Sequence, residues 1–404
     1  MKTLLLLACA STAFSAQMTA QMKKRQVTDE EVRRVHASAI VFDTHNDVPM
    51  RTLEGMDFVK RAPDGHTDLP RMKDGGMTAQ MFAAYVPGAM VQGNRSAHRA
   101  LEAIDSIKHD IAAQSGADMF FATTSDDVLK AKKSGKIAAM IGIEGGHAIQ
   151  DSLRLLRDFY ELGVRYMTLT HTNTNNWADS EGDINNPAVK HHNGLTPFGK
   201  EVVHEMNRLG MMVDIAHVAD KTFYDVMETS RAPVFSSHSS CRALASATRN
   251  MTDDMIRVLA KKEGIININF SCDFLSQKAY DASPMRNPAL RTKLTAMMSE
   301  VTGPKERRAR MLELTGGTKQ VRATLADVVA HINHVVKLAG VNYVGIGSDY
   351  DGVGCVPEGL EDVSKWPNLT RALLEEGYSA DEVRKILGGN MVRLMKSVEK
   401  ARGK

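Results

Sequence analysis

The chain is poor in several things at once. Among its 404 residues there are only 4 cysteines, and none stands in a Cys-x-x-Cys pair. Cysteine-ligated zinc is therefore excluded, and any metal must be held by histidines and carboxylates. The net charge is only +3, and no basic run is interleaved with aromatics, which make up 5% of the chain. That removes the electrostatic footprint of a nucleic-acid binder. The basic clusters Lys23-Lys24-Arg25 and Arg307-Arg308-Ala309-Arg310 read as a post-leader segment and a solvated helix face. No apolar run is long enough to span a bilayer as a helix. No Pro/Gly/Ser-rich linker interrupts the chain either, so residues 21–404 are expected to form a single domain.

The first twenty residues are expected to be a removable leader. Lys2 supplies the charged start, Leu4 to Ala10 an apolar core, and Ala13, Ser15 and Ala16 the small residues that follow. Leu6-Leu7-Ala8-Cys9 loosely matches a lipoprotein cleavage site, so a lipid anchor at Cys9 is the alternative to plain secretion. Either route exports the protein to a periplasmic or extracellular location. Export leaves Cys241, Cys272 and Cys355, enough for one disulfide at most.

What the chain does have is alternation. Eight apolar, β-prone runs stand at Ile40–Asp43, Ala79–Val86, Ile137–Ile143, Arg165–Thr170, Met211–Ile215, Pro233–Ser236, Ile265–Phe270 and Tyr343–Gly347. They are nearly continuous in apolar character, as strands buried on both faces of a parallel sheet are. Helical patterns lie between them, at Ala97–Gln114, Asp151–Leu162, Pro197–Leu209, Thr252–Lys262 and Leu325–Leu338, several closed by glycine. A further helix is expected after a capping box at Thr28 to Glu31. The alternation predicts an α/β fold, a (β/α)8 TIM barrel of the metal-dependent hydrolase type. A helical excursion, residues 271–324, separates the seventh and eighth runs; it is a decoration of the barrel, a lid or a subunit contact.

The polar residues fall where these runs end. His45 and Asp47 follow the first, Glu144 the third, His171 the fourth, His217 the fifth, His238 the sixth and Asp349 the eighth. In a (β/α)8 barrel the strand C-termini share one rim, where active sites form. Each residue alone would be an ordinary capped histidine or loop carboxylate; their recurrence after successive strands predicts a metal site. Mixed imidazole and carboxylate ligands suit zinc. Five of them suit two ions, with Glu144 as the bridging carboxylate, His45 and Asp47 on one ion, and His217 and His238 on the other.

With these residues in place, the sequence resembles the membrane (renal-type) dipeptidases, the M19 zinc peptidases. The resemblance is carried by Asp43-Thr44-His45-Asn46-Asp47, Glu144-Gly145-Gly146, Thr168-Leu169-Thr170-His171, Asp214-Ile215-Ala216-His217 and Ser237-His238-Ser239-Ser240. It continues through Arg249-Asn250, Gly347-Ser348-Asp349-Tyr350-Asp351-Gly352, Gly359 to Val363 and Leu387 to Asn390, in matching order and spacing. It implies a binuclear zinc barrel that hydrolyses dipeptides, with a metal-bridging hydroxide as nucleophile and His45, Asp47, Glu144, His217 and His238 as ligands. It implies Asp349 as the general acid/base, His171 as a substrate hydrogen-bond donor near the oxyanion, Arg249 as the partner of the substrate's free carboxylate, and a homodimer. The chain departs from the pattern at Ser348, Tyr350, Ala247-Thr248 and Ser271, which bears on substrate preference. A deaminase or lactonase on the same barrel would commonly add a strand-end lysine, and none is present. A non-catalytic metal-holding protein would be expected to have lost part of the set, and none is missing.

Overall fold

The computed structural model describes residues 24–283, 286–301, 304–315 and 321–403. The expected leader and Cys9 lie outside the described residues. Nine strands form one parallel sheet: β1 (Phe42–Asn46), β2 (Ala79–Tyr85), β3 (Met119–Phe121), β4 (Ile137–Glu144), β5 (Val164–Thr168), β6 (Met212–Asp214), β7 (Phe235–Ser239), β8 (Ile265–Ile268) and β9 (Val344–Ile346). Their order is β1-β2-β4-β5-β6-β7-β8-β9, with β3 paired to β4 off this path. The ends meet beyond β9. Asp47 N donates to Tyr350 O at 2.8 Å and Asp349 N to His45 O at 3.1 Å. The buried Asp43 carboxylate seals the same seam, accepting from Ser348 N at 2.8 Å and Ser348 Oγ at 2.6 Å. The expected eight-stranded barrel is thus present, nearly closed, with helices between its strands.

Alternation along each strand divides the apolar residues. Phe82, Ile141, Ile143, Met167, Val213, Ile266 and Ile346 join the helices in one large core. Phe42, Met81, Met140, Tyr166, Met212, Phe235 and Ile265 pack together with Met391, Leu394, Met395 and Val398 of the C-terminal helix Asn390–Ala401. Several of these stand at strand starts, so that helix floors the barrel. Truncating Phe235 to alanine would cost about 3–5 kcal/mol. Gly142 has to lack a side chain, because a Cβ there would lie 1.9 Å from the Tyr166 ring carbon Cζ.

The differences from the sequence-based expectation are local. β3 was not expected; three residues are too few to show a period. β1 and β7 begin two residues later than expected and end three residues later, so His45 and His238 lie within strands rather than after them. Both strands also slip register by one residue against a neighbour, β1 between Asp43 and Asn46, β7 between Ser236 and Ser239. Such irregularities re-aim side chains near functional sites. The capping box at Thr28 is half made. Thr28 Oγ1 accepts from Glu31 N, but the Glu31 carboxylate pairs with Arg25 instead.

Among the described residues the excursion carries the helices Cys272–Leu275, Gln277–Ala282, Pro288–Glu300 and Pro304–Thr315. A Cys272–Cys355 disulfide ties its start to the loop after β9. Its third helix packs against the Gly88–Val91 turn after β2, so it crosses the rim and walls a cavity of about 840 Å³.

Candidate metal centre

Glu144, the last residue of β4, sits at the centre of the mouth. Its Oε1 lies 3.5 Å from His45 Nε2, 3.8 Å from His171 Nε2, 3.2 Å from His217 Nε2 and 3.4 Å from His238 Nε2. His45 Nε2 is also 3.3 Å from Asp47 Oδ2 and 4.0 Å from Asp349 Oδ1. The expected ligands are therefore brought together, as are His171 and Asp349.

Three overlapping triads have donor atoms close enough to share an ion: His45–Glu144–His238, Glu144–His171–His217 and His45–Asp47–Asp349. Two donors about 2.1 Å from one tetrahedral ion stand roughly 3.4 Å apart, the spacing seen around Glu144. His45 Nε2 is buried without a hydrogen-bond partner among the described residues. An ion between the imidazoles and carboxylates would satisfy it, so the donor set fits a metal.

The charge states suit ligation as well. Burial, with Arg249 nearby, holds His217 and His238 well below the ordinary histidine range, so both are neutral imidazoles with a free lone pair. Burial alone would raise Glu144, but His45, His171, His217 and His238 outweigh it and hold the carboxyl well below its usual range. Around His45 the balance reverses. Burial pushes Asp349 well above the carboxylate range, and neighbouring Asp47 and Glu144 add to it. Burial raises Asp47 too. His45 is well above its usual value, because Tyr166, Glu144 and Asp47 outweigh burial.

Supporting groups fix these side chains. His217 and Asp349 adopt left-handed backbone, φ 64° and 62°, a conformation costly for non-glycine residues and frequent at functional sites. The His217 carbonyl is held by Thr170 Oγ1 at 3.0 Å and Glu181 N at 2.9 Å. Asn269 Nδ2 donates to Asp349 Oδ2 at 2.8 Å. The Tyr166 hydroxyl meets His45 Nδ1 at 2.9 Å. His171 lies past the end of β5, its ring against Tyr85 and His217. Arg249 is buried against β7, donating to Ser239 Oγ at 2.7 Å and His238 O at 2.6 Å. Tyr166 and Asn269 were not among the expected site residues. Neither stands out in its run, since Asn269 shares its run with Asn267, and Tyr166 shares its run with Arg165, Thr168 and Thr170.

Fold and site together define a (β/α)8-barrel protein of the metal-dependent hydrolase class. The model of the membrane dipeptidase family, peptidase family M19, matches residues 29–404, and the chain belongs to that family. It is 35% identical over 370 residues to Dipeptidase 3 of Rattus norvegicus, covering 90% of this chain and 66% of the relative. The chain thus spans slightly less than two thirds of that relative's length. A Rhodobacter sphaeroides metallopeptidase liganded with a phosphinate mimic of L-Ala-D-Ala superposes with a TM-score of 0.73 at 26% identity, over 89% of this chain and 99% of its own. The metallopeptidase dipeptidase AC, also of family M19, gives 0.74 at 26% identity, over 91% of this chain and all of its own.

Proposed function

We propose that this protein is an exported binuclear zinc dipeptidase whose catalytic unit is the single domain 21–404. The observation that carries the reading is the Glu144 carboxylate within 3.8 Å of four imidazole Nε2 atoms. His45 and Asp47 would hold one ion, His217 and His238 the other, and Glu144 would bridge them. Zinc so held supplies a hydroxide nucleophile at neutral pH and polarises the peptide carbonyl.

The chain's own groups do the rest. Asp349, whose carboxylate is made a stronger proton acceptor than an ordinary one by burial, takes a proton from the attacking water in its ionised form and passes it to the leaving amine. His171 donates to the oxygen where negative charge develops, an interaction that strengthens toward the transition state. Arg249 pairs with the substrate's free carboxylate through guanidinium N–H groups not used on β7. The excursion across the rim fits a short substrate. Export is supported by the Cys272–Cys355 disulfide, since such bonds persist in oxidising compartments.

The test is release of amino acids from a panel of L-L, L-D and D-L dipeptides by purified protein. It would be run as isolated, after chelation and after zinc is restored. Cleavage that chelation abolishes and zinc restores is expected. No cleavage of any dipeptide, with two zincs bound per chain, would overturn the reading and move it to another hydrolase of the same barrel class.

A further inference from the structure

Beneath the centre, outside the proposed ligand set, lies a buried chain of hydrogen bonds. Asp214 at the end of β6 accepts four of them. Its Oδ1 takes Ser237 N at 2.8 Å and Ala216 N at 3.0 Å; its Oδ2 takes Ser237 Oγ at 2.6 Å and Thr168 Oγ1 at 2.5 Å. Ser237 Oγ then meets His238 Nδ1 at 2.7 Å. Asp214, Thr168 and Ser237 are fully buried.

Proton accounting gives this chain a direction. A serine hydroxyl carries one proton, and that of Ser237 points to the Asp214 carboxylate. Toward His238 it can therefore only accept. Nδ1 must carry the imidazole proton, and Nε2 is left as a bare lone pair, 3.4 Å from Glu144 Oε1 and 3.0 Å from His217 Nε2. We propose that Asp214 is a positioning residue that sets the tautomer of His238 through Ser237, so that Nε2 is ready to bind an ion before one arrives. The proposal rests on the ligand reading above for its consequence; the relay itself does not need the metal.

The geometry predicts an unusual outcome for Asp214→Asn. The backbone N–H groups of Ser237 and Ala216 are fixed donors, so the amide oxygen must face them and the NH2 must face the hydroxyls. Ser237 Oγ then accepts from Asn, its proton turns to His238 Nδ1, and the imidazole proton moves to Nε2, blocking the ligand position. Ser237→Ala removes the relay without imposing the wrong tautomer.

The experiment measures zinc affinity by chelator competition for the wild type, D214N, S237A and the double variant. The His238 tautomer is read in the zinc-depleted chains from ¹⁵N imidazole shifts. D214N should bind zinc about 10–100-fold more weakly and carry its His238 proton on Nε2. S237A should lose less, and D214N should cost little more in the S237A background, because its effect passes through that hydroxyl. Additive losses, or a D214N tautomer unchanged from the wild type, would overturn the proposal. Should D214N fail to fold, S237A decides alone: wild-type affinity with an unchanged tautomer refutes the relay. A wild type that binds no zinc while His238 still carries its proton on Nδ1 would refute the ligand reading and leave the relay standing.

Discussion

The two sides of the centre are built from different chemistry. On one side His45 stands with two carboxylates, Asp47 and Asp349; on the other His171, His217 and His238 crowd together, the His238 ring also stacking on His45 at 3.8 Å, and the Glu144 carboxylate touches both. Burial acts on both but to opposite ends. On the carboxylate side it raises Asp47 and Asp349, and His45 is raised by Tyr166, Glu144 and Asp47, so protons are retained. On the imidazole side it lowers His217 and His238, and protons are shed. Two ions held here would therefore be inequivalent. On the proposed reading, the imidazole side would hold its ion and the carboxylate side would move protons near one.

The largest break in this comparison comes from the residue common to both sides. Glu144→Gln removes the central anion, and with it several kcal/mol of transition-state stabilisation, a fall in kcat of about 10³-fold or more. Zinc per chain, measured by mass spectrometry of the native protein, should drop on both sides. Retention of two ions would show that Glu144 does not bridge. Asp349→Asn is next. It should lower kcat about 10²–10⁴-fold, the range for a general acid/base, with both ions kept. Near-normal turnover would remove Asp349 from the chemistry. Arg249→Ala should act mainly through KM, raising it about 10–100-fold for dipeptides, as loss of a hydrogen bond to a charged group does. A dipeptide amide should be affected far less, and equal losses on both substrates would sink the carboxylate-anchor role.

How much of this was legible in the sequence differs along the chain. The barrel was, because continuous apolar runs ending in histidine or carboxylate need no tertiary knowledge to be seen. Glu144 could be picked as a central carboxylate because it stands alone on its strand among the histidine-bearing ones. The register slips that turn His45 and His238 inward could not be read, since they are set by what β2 and β8 offer opposite. Nor could the Cys272–Cys355 pairing, which depends on where a loop folds back. Asp214 and Ser237 stood in the sequence beside His217 and His238, but nothing in the order of residues puts a hydroxyl between that carboxylate and that imidazole. Only closure of the barrel does.

The smallest expected effect is also the sharpest test of the inequivalence. Metal binds neutral imidazole and ionised carboxylate, so protons compete with it. An ordinary histidine with a pKa of about 6.5 begins to release metal below that pH. His217 and His238 lie well below this value, so their ion should be kept as pH falls through 6.5 and be released only as pH approaches their lowered values. His45 lies well above it and Asp47 is raised. Binding on that side must displace protons still present near neutrality, so its affinity should already decline as pH drops toward 6.5. Zinc per chain, titrated downward from pH 8 against a fixed chelator, should therefore fall in two steps, the carboxylate side first. His217→Ala should abolish the lower-pH step and leave the higher one. One concerted step for both ions, or loss of the higher step in that variant, would show that the two sides act as one site.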